Sequence, residues 1–548
     1  MTKMSNSKVY LPALGIACSL GVGKKAVAHS LFSNLTRPVN KSVTLLSGKT
    51  VPVFTVPGEL PSLPEEFNNL NSKNNRLLRL ALDEIQGDVA KAKAKYGAGR
   101  IGIVLATSTS GMAEEEQAFA QHYNTGQLPQ EYNYAQAEMA SPSMFAAKYL
   151  GLSGPAYTVS TACSSSGKAM CSARRLINAG ICDAVITGGV DTLCQLTLNG
   201  FDCLELLEEK VCQPFSKNRN GINIGEGAAV FLMTRDSDSS IEFAGGGESS
   251  DAYHISCPDP NGDGAEAAIN EALTMAGLVS SNIAYINLHG TGTVLNDAME
   301  SCCINRVFGQ SLPCSSTKAL TGHTLGASGA IEAAFLWLSL SQESNGTIPI
   351  PPHVWDGEQD SALPVIKFST AGERVHPING RFALMSTSFA FGGSNVSVIL
   401  TKKANDRIVD LLPHDPPMVL LDEVVSYRDD FIHTTITITA DSPFCENDEV
   451  PSYVAIEYMA QAIATWNGLT ARQQNIAPKI GFLIGSRRLT LEVPGFKIGE
   501  KLDVYGQSKY IDGEMAAFDC WIEIKGKRIA EGGLNVYQPG EINEVSSI

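Results

Sequence analysis

One cysteine of the chain lies where a reactive thiol nucleophile would be expected. Cys163 belongs to the segment TVSTACSSSG at 158–167, which joins a β-rich run to a run with helical spacing at 168–179. A thiol near a helix N-terminus is stabilised as a thiolate by the helix dipole and by free backbone N–H groups. Taken alone, such a cysteine is more often a small buried residue that packs like alanine. The segments that follow it along the chain favour the nucleophile.

Three short glycine-rich segments come after Cys163, and they hold the other side chains of chemical interest. These segments are HGTGT at 289–293, GH at 322–323 and FAFGG at 389–393. A histidine alone is more often a structural residue than a catalytic one. One cysteine, two histidines in glycine-rich turns and a Gly-Gly turn beside aromatic rings nevertheless form a set that chance rarely produces in this order.

These segments are set into an alternation of short apolar runs and helical stretches, which is typical of βαβ units. The alternation extends from residue 8 to about 240, and a second stretch of the same kind extends from about 241 to 402. Strands are predicted at 101–106, 184–187, 228–233, 283–288, 382–385 and 396–400. No direct sequence repeat links the two stretches.

The ordered segments resemble those of the elongating β-ketoacyl-acyl-carrier-protein synthases of the thiolase superfamily. The resemblance covers roughly residues 8 to 402 and includes QPFS at 213–216, GEG at 225–227 and DAYH at 251–254. It implies an α/β thiolase-like fold of five αβαβα layers, formed by an N-terminal half at 1–240 and a C-terminal half at 241–402. Members of this family are usually homodimers, so a homodimer is expected here.

The resemblance implies a role for each central residue of a decarboxylative condensation. Cys163 would hold the growing acyl chain as a thioester. The backbone N–H groups of Cys163 and of the Phe391-Gly392 turn would form the oxyanion hole. His289 and His323 would each direct an Nε2 donor at the malonyl thioester oxygen while carbon dioxide leaves.

Further residues receive supporting roles from the same resemblance. Lys318 and Glu332 would form a buried ion pair that fixes the histidine region, since each buried charge needs a partner. Thr291 and Thr293 would line the channel for the phosphopantetheine arm of an acyl carrier protein. Phe391 would be a mobile aromatic gate beside the cysteine, although plain core packing explains its position equally well. No bound cofactor is expected, because the substrates arrive on that arm.

Composition and charge exclude several classes of protein. The net charge of −16 argues against nucleic acid as a partner. No apolar run reaches the about 18 residues that a membrane span needs. The 13 cysteines show neither paired spacing nor a CxxC array, so we expect reduced thiols, no metal site and a cytoplasmic protein.

An acidic carrier protein would need a local basic patch on this acidic chain. The candidates are Lys73, Arg76 and Arg79 on one predicted helix, together with Lys217 and Arg219. Ordinary solvated surface charge is the more common explanation for any one of them.

The pattern changes after a short polar joint at 402–407, and residues 408–548 read as a separate domain. A long apolar helix at 456–473 is followed by runs that alternate as antiparallel strands do, which suggests an α+β domain with a curled sheet around the helix. Strands are predicted at 418–425, 431–439, 481–493, 501–510, 515–524 and 528–536.

The segments LPHDPPM at 412–418, EYMAQA at 457–462 and GFLIG at 481–485 resemble the hotdog-fold 3-hydroxyacyl-acyl-carrier-protein dehydratases of aryl polyene pathways. The resemblance casts Glu457 as the catalytic carboxylate on the central helix. The usual histidine is absent, since Pro443-Phe444 occupies its place. His414 is the candidate replacement, whereas His433 lies in a predicted strand and looks structural. A non-catalytic, acyl-binding or dimerising hotdog module therefore remains an alternative.

The fusion predicts a synthase followed by a dehydratase, so a ketoreductase must act in trans between them. No dinucleotide-binding GxGxxG follows a predicted strand, and no enoyl reductase segment is recognisable. The double bonds would then stay in a polyunsaturated chain of aryl polyene type. Ordinary fatty acid elongation with a partner reductase is the competing hypothesis. Starter group, chain length and double-bond count are not encoded in any recognisable pattern.

Overall fold

The chain folds into two compact units, Met1–Ala404 and Asn405–Ile548. The computed structural model describes residues 8–33, 41–235, 239–344, 346–404, 408–473 and 481–539. The polar joint predicted at 402–407 lies partly outside this range, because residues 405–407 are not among those described. Among the described helices, none is long and apolar enough to cross a bilayer.

The first unit combines strands and helices in alternation. Its strands are β1 (Tyr10–Cys18), β2 (Gly21–Val22), β3 (Lys41–Thr44), β4 (Thr50–Val53), β5 (Ile101–Ala106), β6 (Ala156–Val159), β7 (Ala184–Asp191), β8 (Gly227–Thr234), β9 (Ile241–Ser250), β10 (Tyr285–Asn287), β11 (Pro313–Ser315), β12 (Ile348–Pro349), β13 (Lys367–Phe368), β14 (Arg374–Val375), β15 (Arg381–Ala390) and β16 (Ser394–Lys403). Its helices are α1 (Lys24–Phe32), α2 (Lys73–Tyr96), α3 (Met112–Thr125), α4 (Ser141–Leu150), α5 (Ser165–Asn178), α6 (Gln195–Cys203), α7 (Asp263–Ala276), α8 (Val294–Phe308), α9 (Lys318–Thr321) and α10 (Ser328–Ser341).

The main sheet of this unit repeats one strand order twice. Its first half runs β6-β5-β7-β8-β1 and its second half runs β11-β10-β15-β16-β9, with β13 added at the edge. Numbered within each half, both orders are 3-2-4-5-1. In each half, the first three strands of this order are parallel, and each of the last two is antiparallel to the strand before it. The halves meet at one residue pair between β1 and β9.

Helices cover both faces of each half, and the result is five layers. Helices α5 and α10 pack on strands of both halves and form the central layer. Helices α2 and α4 cover the outer face of the first half, and α7 covers that of the second. The predicted αβαβα layering is therefore confirmed.

Burial on both faces explains why the core strands are apolar throughout. In β5, Ile101, Ile103 and Leu105 face the outer cluster, while Val104 and Ala106 face the central one. Successive side chains of a strand point to opposite faces, so a strand between two helical layers needs apolar residues at every position. Burial on both faces therefore explains why residues 101–106 form a continuous apolar run.

The second unit is one antiparallel sheet with one long helix, which is the predicted hotdog arrangement. Its elements are β17 (Glu423–Arg428), β18 (Phe431–Thr437), β19 (Glu449–Pro451), α11 (Ala455–Gln473), β20 (Phe482–Leu491), β21 (Gly495–Lys497), β22 (Lys501–Asp512), β23 (Met515–Ile524) and β24 (Lys527–Tyr537). The sheet order is β17-β18-β22-β23-β24-β20. Met459 and Ile463 of α11 share a core with Ile432, Val504 and Ile522 of the sheet.

The first strand of this unit begins later than predicted. The apolar run at 418–425 suggests a strand, but β17 is Glu423–Arg428. The side chain of Gln461, on α11, donates to the carbonyl of Met418 at 2.7 Å and accepts from the N–H of Leu420 at 2.9 Å. These backbone groups are satisfied by a helix side chain instead of a neighbouring strand.

Candidate active site

Cys163 lies in a tight turn between β6 and α5, as the sequence pattern indicates. The preceding Ala162 has a φ of 52°, a left-handed conformation that a larger or β-branched side chain would strain further. The Oγ of Ser165 accepts from the N–H of Thr161 at 2.7 Å and donates to the carbonyl of Ala162 at 2.5 Å. These bonds fix the turn and hold Cys163, which is only 7% exposed.

The acidity of the Cys163 thiol is the opposite of what the sequence suggests. Burial raises its pKa to about 11, whereas proximity to a helix N-terminus predicts a lowered pKa. The positive charge of Lys318 and the backbone N–H groups of Phe391 and Cys163 lower the pKa, but they do not offset burial. At neutral pH the resting residue is therefore a thiol that must lose its proton during attack.

Two histidines lie beside this sulfur. The Nε2 of His323 is 3.0 Å from Cys163 Sγ, and the ring of His289 meets that of His323 edge-on at 5.4 Å. Burial, and secondarily the charge of Lys318, hold the pKa of both histidines well below its usual value. Both rings are consequently neutral, and His323 Nε2 lies within reach of the thiol proton.

Lys318 and Glu332 form a buried ion pair behind the histidines. Lys318 Nζ donates to Glu332 Oε1 at 2.6 Å and to the carbonyl of His289 at 2.5 Å. The side chains are 1% and 4% exposed. Ser328 Oγ adds a third contact by donating to Glu332 Oε1 at 3.1 Å. The ammonium thereby ties the His289 turn to the start of α10.

A second carboxylate, whose role the sequence analysis missed, holds the same turn from its other side. Glu300 accepts the N–H of His289 at 2.8 Å and the N–H of Gly290 at 2.7 Å, and Thr387 Oγ1 donates to it at 3.0 Å. Burial raises the pKa of Glu300 to about 7. Asp297, one helical turn earlier, accepts the N–H of Gly292 at 3.2 Å. Their three-residue spacing, directly after the HGTGT segment, was the available signal.

The backbone donors near Cys163 come from the two segments expected to form the oxyanion hole, Cys163 itself and the Phe391-Gly392 turn. The N–H groups of Cys163 and Phe391 both act on the sulfur. The N–H of Gly392 instead donates to the carbonyl of Ile255 at 2.7 Å, so it does not complete the oxyanion hole in this state. Gly392 has a φ of 79° and supplies the left-handed turn that directs Phe391 N–H at the sulfur.

These groups open into one cavity of about 220 Å³. Cys163, His289 and His323 lie on its wall together with Thr291 and Thr293, whose hydroxyl groups are 2.9 Å apart. The ring of Phe391 also lines it and lies 5.9 Å from that of Phe201, a contact that the sequence did not suggest. The cavity therefore joins Cys163, both histidines and the two threonines.

The basic residues proposed for carrier binding are engaged by carboxylates. The ion pairs are Lys73–Glu226 at 2.5 Å, Arg76–Glu114 at 3.8 Å, Arg79–Asp83 at 3.5 Å, Lys217–Glu358 at 2.5 Å and Arg219–Asp360 at 2.6 Å. Their positive charge is largely compensated locally, which disfavours the predicted basic patch.

In the second unit, His414 and Glu457 face each other. His414 Nε2 is 3.7 Å from Glu457 Oε1, and both side chains are 34% exposed. Gln461 Nε2 donates to Glu457 Oε1 at 2.9 Å and fixes the carboxylate. His433, by contrast, pairs with Asp503 at 2.9 Å on the other face of the sheet, away from this pair.

Three families match successive parts of the chain. Residues 71–239 match the beta-ketoacyl synthase N-terminal domain, residues 241–353 match its C-terminal domain, and residues 406–547 match the ApeP dehydratase. The first two matches lie in the two halves of the first unit, and the third covers most of the second unit.

Individual relatives agree with the family matches. Nodulation protein E of Rhizobium meliloti is 30% identical over 409 residues, which are 71% of this chain and 97% of that protein. The 3-oxoacyl-[acyl-carrier-protein] synthase 2 of Staphylococcus aureus strain COL is 31% identical over 324 residues, or 56% of this chain and 76% of that one. The solved ketosynthase ApeO of Xenorhabdus doucetiae, in complex with its chain length factor ApeC, is 44% identical, with a TM-score of 0.66, and 72% of this chain covers 98% of it.

Proposed function

Since the chain belongs to the β-ketoacyl synthase family and ends in an ApeP dehydratase domain, we propose that its first unit condenses an acyl thioester with a carrier-bound malonyl group at Cys163. The observation that carries this proposal is the proximity of Cys163, His289 and His323 in one cavity. The sulfur of Cys163 and one ring nitrogen of each histidine all lie within 4.8 Å of one another. Covalent capture divides one difficult acyl transfer between two separate substrates into two easier steps.

In the first step, Cys163 Sγ attacks the carbonyl carbon of the incoming thioester. The thiol proton passes to His323 Nε2, 3.0 Å away, and then to the departing carrier thiol. The N–H groups of Cys163 and Phe391 stabilise the oxyanion that forms during the transfer. The products are an acyl group on Cys163 and a free carrier thiol.

In the second step, a malonyl thioester occupies the side of the cavity that holds the histidines. Its carboxylate leaves as carbon dioxide, and the electron pair of the broken bond forms an enolate. Neutral His289 donates a hydrogen bond from Nε2 to the enolate oxygen, and His323 does the same after its ring proton has moved from Nδ1 to Nε2, a role that their lowered pKa values favour. The enolate carbon then attacks the Cys163 thioester, and the sulfur leaves as a thiolate that takes up a proton from water. The products are a 3-ketoacyl thioester on the carrier and the restored Cys163 thiol.

The substrates reach this cavity on the phosphopantetheine arm of an acyl carrier protein, which the name of the Staphylococcus relative supports. Thr291 and Thr293 line the channel for that arm. The first unit acts as a homodimer. The relative ApeO instead pairs with a chain length factor, so the mass of the purified protein distinguishes the two arrangements.

The second unit dehydrates the 3-hydroxyacyl thioester that a separate ketoreductase makes from the condensation product. His414 removes a proton from C2, and Glu457 donates a proton to the hydroxyl group, which leaves as water; transfer of the His414 proton to Glu457 then restores both groups. Gln461 donates to Oε1 of Glu457, and Oε2 is the oxygen proposed to serve as the acid. Repetition without enoyl reduction builds a polyunsaturated chain of aryl polyene type.

A non-catalytic hotdog module is the second candidate for this unit. Its support is the 3.7 Å separation of His414 and Glu457, which exceeds a hydrogen bond, and the partial exposure of both side chains. Such a module would hold acyl chains or join copies of the protein without removing water.

Intact-mass spectrometry tests the condensation. The protein is incubated with acyl-carrier and then with malonyl-carrier protein. We expect an acyl adduct on Cys163 that disappears as a 3-ketoacyl carrier forms, and no adduct on Cys163→Ala. A 3-keto product made by Cys163→Ala would contradict the synthase mechanism.

A synthetic 3-hydroxyacyl carrier tests the dehydration separately. Loss of 18 Da, about one water, from this substrate is expected with the intact protein and not with His414→Ala or Glu457→Gln. Asp503→Asn, which alters the partner of His433 on the other face of the sheet, is the matched control and should retain activity. Condensation without dehydration in every variant would favour the non-catalytic module.

A further inference from the structure

The cavity that holds Cys163 opens between exposed apolar side chains. Val294 and Leu295 both line the cavity, yet they are 55% and 57% exposed. A side chain that belongs to a cavity wall and is also more than half exposed lies where that cavity meets solvent. The N-terminus of α8 therefore forms one side of the opening.

Three more apolar side chains lie next to residues of the cavity wall. Leu204 is 52% exposed and precedes Glu205, which lines the cavity. Tyr253 and Ile255 are 58% and 79% exposed, and they precede Ser256, another residue of the wall. We call Leu204, Tyr253, Ile255, Val294 and Leu295 the apolar rim. Isolated exposed apolar residues are common, but five that line one opening or neighbour its wall residues in the sequence are a concentration of the kind that marks binding sites.

The charged groups near the opening do not suit an acidic partner. Glu205 and Asp251 line the cavity. Lys217 and Arg219, which lie just before Asn220 of the wall, are paired with Glu358 and Asp360. The whole chain carries a net charge of −16. An acidic carrier approaching this opening would meet carboxylates and compensated cations, so attraction between charges cannot hold it there.

We propose that the apolar rim is the docking surface for the body of the carrier protein, and that this contact is apolar instead of ionic. The proposal rests on the proposed function, because a thioester arm that reaches Cys163 through this opening places the carrier on its rim. The carrier would present an apolar face beside its modified serine. Added salt screens repulsion between the carboxylates and leaves apolar contact intact or strengthened.

The test compares carrier-bound and carrier-free substrates. Leu204→Ser and Ile255→Ser change rim side chains that are not themselves part of the cavity wall. Val279→Ser, at a position 61% exposed beyond the C-terminal end of α7, is the matched control. Condensation is measured with malonyl-carrier protein and with malonyl-pantetheine, a small thioester that needs no docking surface.

We expect each rim variant to raise the KM for malonyl-carrier by about tenfold. Turnover of malonyl-pantetheine should stay within about twofold of that of the unmodified protein, which also reports that the variants fold. The control should match the unmodified protein with both substrates. Raising the salt from about 50 mM to about 500 mM should leave the carrier KM unchanged or lower it.

Three outcomes would overturn the proposal. An unchanged carrier KM in both rim variants, or a carrier KM that rises steeply with salt, would assign docking to an ionic surface elsewhere. A change in oligomeric state with an unchanged KM would make the rim an interface between copies of the chain. If the unmodified protein does not turn over malonyl-pantetheine either, the synthase assignment itself fails, and the docking proposal fails with it.

Discussion

At Cys163, two physical effects act in opposite directions on one sulfur. The start of α5 and the charge of Lys318 favour the thiolate, but burial disfavours it more and raises the pKa to about 11. Reactivity must then come from a proton acceptor held in place, and His323 Nε2 lies 3.0 Å away. The residue is thus protected from unwanted oxidation and alkylation at rest, since those reactions need the thiolate.

Alkylation of Cys163 should accordingly depend on pH far above neutrality. Below its pKa of about 11 the group is a thiol, so the iodoacetamide rate should rise by about tenfold per pH unit from pH 7 to about 10. Peptide mass spectrometry follows Cys163, with the exposed Cys203 as a reference in the same digest. A rate that is already constant at pH 8 would show that the thiolate dominates at rest.

Glu300 should control activity near neutral pH. Its pKa of about 7 means that it loses its charge as the pH falls below 7, which weakens its hold on the N–H groups of His289 and Gly290. Both histidine pKa values lie well below 6.5, and that of Cys163 lies near 11, so these groups do not change charge there. We expect kcat/KM for malonyl-pantetheine to fall below pH 7 in the intact protein, and Glu300→Gln to be slower with a flatter profile. A pH dependence that is identical in both proteins would contradict this role.

Single elements owe their positions to partners far away in the chain. The strand predicted at 418–425 shows this. The side chain of Gln461, on α11, forms hydrogen bonds with the backbone of Met418 and Leu420, and β17 begins only at Glu423. No pattern within residues 418–425 encodes that partner. The apolar runs that became β5, β7 and β8 were predictable, since burial on both faces leaves a local signature.

The ion pair between α9 and α10 provides a test at this scale. Lys318→Met leaves Glu332 buried without its cation and should lower the free energy of unfolding by about 3–5 kcal/mol. The double variant Lys318→Met/Glu332→Leu removes both charges and should recover part of that loss, as followed by denaturant unfolding of the first unit. Equal destabilisation by the single and double variants would mean that packing, not charge compensation, governs this site.

At the scale of the whole molecule, the sequence indicated the chemistry of the site more directly than it indicated the shared strand order of the two halves. The glycine-rich turns indicated Cys163, His289 and His323 because such turns need particular residues at fixed places. The two halves of the first unit share one strand order without a recognisable sequence repeat. Sheet topology tolerates many apolar sequences, so it leaves little trace in one chain.

The two units should also be separable. Among the described residues, the cluster around α11 draws only on residues from Ile408 onwards. A chain that ends at Ala404 should retain turnover of malonyl-pantetheine, and residues 405–548 should unfold cooperatively as an independent protein. Circular dichroism and the turnover assay check both fragments. A second fragment without a cooperative transition would show that the hotdog unit depends on the synthase for its stability.

The shared strand order has an evolutionary consequence. Cys163 follows the third strand of its half and precedes α5, while His323 follows the third strand of the other half and precedes α10. The two helix starts touch, with Ala330 N–H donating to Ser166 Oγ at 2.8 Å. If the halves descend from one duplicated ancestor, a single ancestral turn now provides the nucleophile in one copy and its proton acceptor in the other. In that case the divergence of the two copies would have brought Cys163 and His323 together.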